Sequence, residues 1–175
     1  MGFTSSTTKY SLTGSSSSTF SDYKTLGFSF NPNVSYFFAK QLSIGLALPY
    51  STNKSSSSGS PDTKVSSISV GPMIRYYFPF NKMAVFPELQ YTFGQQTTTG
   101  PVFSPQTGTV TVETIKSKLN MLRTGVGVTY FLNSSIGVEG LLYYLKSENK
   151  YDDGSQLSSS VSQFGINFGF QIYFK

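Results

Sequence analysis

Apolar residues alternate with glycine, amides and hydroxyls along most of the chain, and this period of two restricts the fold more than any other feature. In the closing stretch "SVSQFGINFGFQIYFK", Phe164, Ile166, Phe168, Phe170, Ile172 and Phe174 share one parity. Gln163, Gly165, Asn167, Gly169 and Gln171 share the other. A strand of this kind has one greasy face and one face of small or amide-bearing residues. A helix would scatter both sets around its axis.

The same alternation recurs upstream. Leu26, Phe28, Phe30, Val34 and Tyr36 oppose Gly27, Ser29, Asn31, Asn33 and Ser35, and Leu42, Ile44, Leu46, Leu48 and Tyr50 oppose Ser43, Gly45 and Ala47. Ile68, Val70, Ile74 and Tyr76 oppose Ser69, Gly71, Met73, Arg75 and Tyr77, while Val85, Leu89, Tyr91 and Phe93 oppose Phe86, Glu88 and Gln90. Leu122, Val126, Val128 and Tyr130 oppose Arg123, Gly125 and Gly127, and Val138, Leu142 and Tyr144 oppose Glu139, Leu141 and Tyr143. Three links between these stretches are short ("FAKQ", "FPFNKM", "LNSSI"). Four are longer and rich in Ser and Thr: Thr13–Asp22, Ser51–Thr63, Thr97–Val112 and Lys146–Ser158. With a first strand over residues 2–12 that is short, irregular or truncated, the count is eight strands in a single domain, 1–175.

Alternation alone does not say which face meets water, and a ligand-binding barrel with its apolar side inward is one reading. Two features favour the inverse. Tyr36, Tyr76 and Tyr130 lie at the short-turn ends of the apolar faces and Tyr50, Tyr91 and Tyr144 at the opposite ends, as two aromatic girdles would. Rows of Phe, Ile and Leu would also crowd a narrow interior that Gly, Ser and Asn fit. The expected fold is therefore all-β: an eight-stranded antiparallel up-and-down transmembrane β-barrel with three short periplasmic turns and four long extracellular loops. Phe28, Phe30, Leu46, Val70, Val126, Val128, Phe168 and Phe170 are its lipid-facing residues. On this reading Val126→Asp is more damaging than Gly127→Ser. Pro32, Pro49, Pro72 and Pro87 are awkward, since each lacks a ladder N–H.

The inward parity carries four charges, Arg75, Glu88, Arg123 and Glu139. A two-residue turn at Asn81–Lys82 sets Arg75 opposite Glu88, an ion-pair geometry. Arg123 and Glu139 are not opposite in any register that keeps the faces, but they can join the same lumen ion network. Buried charges persist where they are paired, so a salt-bridged plug is favoured over a proton or ion path. Cysteine and histidine are absent, which removes disulfides, thiol chemistry and the commonest general base. Ser nucleophiles then lack their usual base, and Asp152–Asp153, Glu113 and Glu148 read as loop residues rather than a metal site. Neither an enzyme, a cofactor nor a bound metal is expected. The net charge of +5 is scattered and stands beside no nucleic-acid motif.

The fragments "NPNVSYFFAKQLSIGLAL", "ISVGPMIRYYFPF" and "GVGVTYFLNSSIGVEGLLYY" resemble the small outer-membrane β-barrel domain of Bacteroidetes type, related to the OmpA transmembrane domain and OmpX. The resemblance runs from about Thr25 to Phe174. It implies an integral protein of the Gram-negative outer membrane, porin-like in architecture and monomeric. Lipid or lipopolysaccharide would be its surroundings, and the barrel assembly machinery would read Phe174 as its signal, with Lys175 one residue beyond. The implied role is non-enzymatic, structural or surface-interacting, with loops that meet surface proteins or polysaccharides. The alternative is a narrow channel or transporter for ions or small hydrophobic solutes.

Overall fold

The computed structural model describes residues 2–9, 22–57, 60–104, 108–151 and 158–173. Eleven strands form one sheet: β1 (Gly2–Lys9), β2 (Asp22–Phe30), β3 (Asn33–Phe37), β4 (Leu42–Ala47), β5 (Tyr50–Ser57), β6 (Ser60–Tyr76), β7 (Phe78–Phe80), β8 (Met83–Ser104), β9 (Thr109–Phe131), β10 (Ile136–Tyr151) and β11 (Ser158–Ile172). They occupy eight positions across the sheet, in the order β1-β2-β5-β6-β8-β9-β10-β11, and every pairing is antiparallel. β3 prolongs the line of β2 and pairs with β4. β4 lies in line with β5, and β7 in line with β6.

The breaks are where backbone donors are missing or diverted. Asn31–Pro32 separates β2 from β3 and Leu48–Pro49 separates β4 from β5, so two of the awkward prolines interrupt strands instead of sitting inside them. Their carbonyls still bind, Pro32 accepting from Leu48 N–H at 2.9 Å and Pro49 from Ser69 N–H at 3.0 Å. The tight turns are equally local. Asn81 takes a left-handed φ of 52°, a conformation asparagine tolerates, and closes Phe80 onto Met83. Asn133 Oδ1 accepts from the N–H groups of Ser135 and Ile136.

Three of the polar segments expected to be loops are, in their described residues, largely paired strand, while Thr13–Asp22 lies outside the described residues apart from Asp22. β8 and β9 pair continuously out to Ser104 and Thr109, and β10 pairs with β11 as far as Lys150. No apolar stripe is needed there. Hydroxyl pairs face each other across strands, Thr99 with Thr114 at 2.9 Å, Ser51 with Ser67 at 2.8 Å and Thr52 with Ser66 at 3.0 Å.

The sheet curls but does not close. Among the described residues β1 and β11 do not pair, and the two edges of the sheet lie 10 Å apart. This open half-barrel corrects the closed eight-stranded transmembrane barrel, and the correction has consequences beyond strand count. A β-structure spans lipid only when every edge N–H and C=O is paired, which an open edge forbids. The outer-membrane location, the lipid and lipopolysaccharide surroundings, the need for barrel assembly machinery and the channel or transporter alternative all rested on closure, and they fall with it. So do the porin-like, cell-envelope and OmpA- and OmpX-like descriptions. Phe174, expected as the assembly signal, and the Asp152–Asp153 pair lie outside the described residues.

The two faces nevertheless divide by parity. Phe28, Phe30, Leu46, Val70, Val126, Val128, Phe168 and Phe170 all stand exposed on the convex side. Of the girdle tyrosines, Tyr36, Tyr50, Tyr76, Tyr91 and Tyr130 share that exposure, whereas Tyr144 is half-buried against Phe164 at 5.1 Å and donates to Ser162. These residues form an apolar convex face. The core is on the concave side and is partly aromatic: Tyr77, Ala84, Phe86 and Leu141 pack together, with Phe131 and Tyr143 against them.

Candidate functional site

The concave wall is built by β6, β8, β9 and β10, whose inward parities bring four charges into one cluster. Across the β6–β8 pairing Arg75 stands opposite Glu88, and its Nε donates to Glu88 Oε2 at 2.7 Å. Arg75 Nη1 turns the other way and donates to both oxygens of Glu139 at 3.1 Å, and to Tyr77 Oη at 3.3 Å. Arg123 Nη2 donates to Glu88 Oε1 at 2.6 Å and to Gln90 Oε1 at 2.8 Å. With its amide turned so that oxygen meets the guanidinium, Asn31 accepts from Arg123 Nη1 and Nη2 at 2.7 and 2.8 Å. Arg123 and Glu139 do not touch. They are linked through Glu88 and Arg75.

The cluster is buried, the Glu88 side chain wholly so. Two carboxylates face two guanidinium groups, so no net charge is left in the wall. Burial works against the Arg75 charge, but Glu139 and Glu88 outweigh it and hold the guanidinium above its ordinary pKa. Aromatic rings complete the shell. The Arg75 guanidinium lies 4.7 Å over Phe86 and that of Arg123 5.5 Å over Tyr143. Burial pushes the Tyr77 phenol upward, partly opposed by Arg75, and raises Tyr173 in the same way, with Tyr77 and Glu139 adding to it. Parity had placed Tyr77, Phe86 and Tyr143 inward, yet an interior of small residues was expected. What admits them is glycine across the sheet. A Cβ on Gly127 would come within 2.3 Å of Phe86 Cζ, so the ring occupies that space instead.

Towards the open side the packing thins. A cavity of about 650 Å³ lies between Phe30–Asn33 and Asn167–Ile172, with Arg75, Arg123 and Glu139 at its back. A second, of about 410 Å³, lies further along the trough against Gln90, Arg123 and Tyr143. On the far wall Thr92 is 0% exposed, whereas Gly165, Asn167, Gly169 and Gln171, the inward parity of β11, are only half-buried. A Cβ added at Gly169 would meet nothing within 4 Å. The cavity is therefore walled by ion pairs on one side and by an unfinished sheet on the other.

No group of three or more His, Cys, Asp or Glu side chains able to hold a metal occurs among the described residues. The loop residues Glu113 and Glu148 are on β9 and β10, and Glu148 pairs with Lys146 at 2.9 Å on the exposed surface. No protein-family model matches the chain, and no curated protein matches it in sequence. The resemblance to the OmpA- and OmpX-related barrels thus has no family match behind it, and the open sheet contradicts the architecture it implied.

Proposed function

We propose that this chain acts by binding rather than catalysis, and that its recognition site is the open side of the half-barrel, between β3 and β11. The observation that carries this is the contrast between the two walls. One is closed by mutually paired charges and aromatic rings; the other presents half-buried amides and, at Gly169, empty space. Every charge on the closed wall has an opposite charge in hydrogen-bond contact, which suits a rigid backing for an occupant. A general acid or nucleophile would instead need a free lone pair or proton.

The chain has no cysteine, so single thiols report cleanly. In detergent sufficient to cover the convex face, Gly169→Cys is expected to react with a water-soluble maleimide almost as fast as in the unfolded chain. Thr92→Cys, on the closed wall, is expected to be strongly protected. Equal protection of the two thiols would mean that the open side is not open, and the reading would fail. The same rate then serves as the assay for occupants, since anything lodged beside Gly169 must slow it.

A further inference from the structure

We infer that the trough holds a second binding site, separate from the opening beside Gly169, and that it takes a small neutral molecule rich in hydroxyls, a sugar of one or two rings. The site is the cavity of about 410 Å³ against Arg123. It is the interior of the curl rather than its edge. Seven of the eight strand positions line it, from β2 and β5 through Ser67 of β6, Gln90 of β8 and Arg123 of β9 to Tyr143 of β10 and Asn167 of β11. Its walls therefore stand whatever pairs with either edge of the sheet, and its volume falls in the range of about 300–1,000 Å³ usual for small-molecule sites.

The chemistry of the wall selects the class. Asn31, Gln90 and Asn167 bring amides to it and Ser51 and Ser67 hydroxyls, so donors and acceptors stand together. The two hydroxyls share one hydrogen bond at 2.8 Å, which leaves a further hydrogen and lone pairs between them. No carboxylate lines the cavity among the described residues, and its one cation, Arg123, already donates to Glu88 at 2.6 Å. An ionic ligand would shed its hydration without gaining a free counter-charge, and a purely apolar one would strip water from the amides and return nothing. A neutral polyhydroxyl compound can exchange its hydrogen bonds with water for hydrogen bonds with the wall. The wall is also short of an acceptor. Arg123 is only 8% exposed, and its Nε has no hydrogen-bond partner among the described residues. A hydroxyl oxygen beside it would supply one.

The preference for a ring comes from an apolar strip in the same wall, made by Met121, Leu145 and the Tyr143 ring. Tyr143 is held in place: its phenol lies over Gly165, where an added Cβ would come within 2.5 Å of Oη, and the Arg123 guanidinium is 5.5 Å from the ring centre. A sugar offers an apolar C–H face to that strip and hydroxyls to the amides around it, in positions that its ring fixes.

The test uses the whole isotope-labelled chain in a detergent without a sugar headgroup, and reads the Arg123 Nε–H and the side-chain amides of Gln90 and Asn167 by NMR. Glucose, galactose, mannose, xylose and N-acetylglucosamine are each titrated to about 100 mM, enough to reveal even a weak site. At least one is expected to shift all three signals saturably, with glucuronate and glucosamine binding at least about tenfold more weakly. The Asn167 side chain makes no hydrogen bond among the described residues, so Asn167→Leu should leave the urea midpoint alone. It should raise the Kd about tenfold, the equivalent of one hydrogen bond. Shifts that stay linear for every neutral sugar, or a Kd that Asn167→Leu does not change, mean a water-filled trough only and refute the site. Tighter binding of a charged sugar than of any neutral one refutes the class, and that comparison uses the unmodified protein, so it holds whatever the variant does. Either failure leaves the opening beside Gly169 as it was, since the labelling of Gly169→Cys involves none of these probes.

Discussion

Replacing Arg75 with methionine separates the two carboxylates that this one guanidinium holds. Methionine keeps much of the apolar stem against Phe86, so the change is mainly one of charge. Glu88 retains Arg123 at 2.6 Å, but Glu139 loses both of its 3.1 Å contacts and keeps, among the described residues, only the Thr129 hydroxyl at 3.2 Å. Breaking a buried pair by removing one partner costs about 3–5 kcal/mol, and nearly all of that should fall on Glu139. The second substitution then decides the outcome. Arg75→Met with Glu139→Gln removes the stranded charge and should leave a residual cost of about 1–2 kcal/mol, that of lost hydrogen bonds between well-packed groups. Arg75→Met with Glu88→Gln leaves Glu139 stranded and also takes from Arg123 its carboxylate, so it should cost at least as much as the single change. Urea titration followed by near-ultraviolet circular dichroism measures all three, with m-values checked for constancy. Equal stability of the two double variants would refute this division, and would mean that the four charges act as a diffuse pool rather than as directed pairs.

Three further outcomes follow from the same geometry. Gly127→Ser places a Cβ against the fully buried Phe86 ring and should cost about 1–3 kcal/mol, whereas Val126→Asp, on the exposed convex face, should cost under about 1 kcal/mol. That reverses the order expected for a lipid-facing Val126, and urea midpoints in the opposite order would contradict it. Burial raises the folded-state pKa of Tyr77 above its unfolded value, so its contribution is whole below about pH 10 and is lost as pH rises through the folded pKa. Tyr77→Phe should therefore flatten the alkaline limb of the stability profile, and an unchanged limb would contradict the burial. Hydrogen bonds from Lys54 and Ser56 hold the exposed Asp62 carboxyl below its usual range, giving a contribution present at neutral pH and lost as pH falls through the depressed pKa. In Lys54→Met the Asp62 carboxyl should titrate at higher pH by NMR, with little change in overall stability.

What the sequence disclosed was whatever two neighbouring strands decide between themselves. Counting outward from the Asn81–Lys82 turn puts Arg75 across from Glu88, because the residues of a hairpin pair at fixed sums once its turn is known. Parity likewise divided convex from concave residues, Tyr77 and Phe86 included. Strand length was harder to read. Residues 97–104 and 146–151 are mostly polar, so no apolar rhythm marks them, although backbone pairing with the neighbouring strand holds them in register. The bridge made by Arg75 from Glu88 to Glu139 was also hidden, since it spans a trough and depends on how strongly the sheet curls.

Closure belongs to a different class of property. Each of the seven successive pairings is favoured by its own faces and usually by a short connection, and none requires the first and last positions to meet. The end-to-end contact depends on accumulated curl and on what β1 offers as an edge, and "GFTSSTTKYSL" shows no apolar alternation to specify it. A membrane reading drawn from alternation assumed that contact silently, because only a closed sheet satisfies its backbone in lipid. The two-faced pattern would look the same in a sheet that closed on itself and in one completed by another strand. The discriminating groups are therefore the edge amides of Asn33–Phe37 and Phe164–Ile172. Rapid exchange there in the isolated chain fits open edges; slow exchange from the outset means the chain has already found a partner for its own edge.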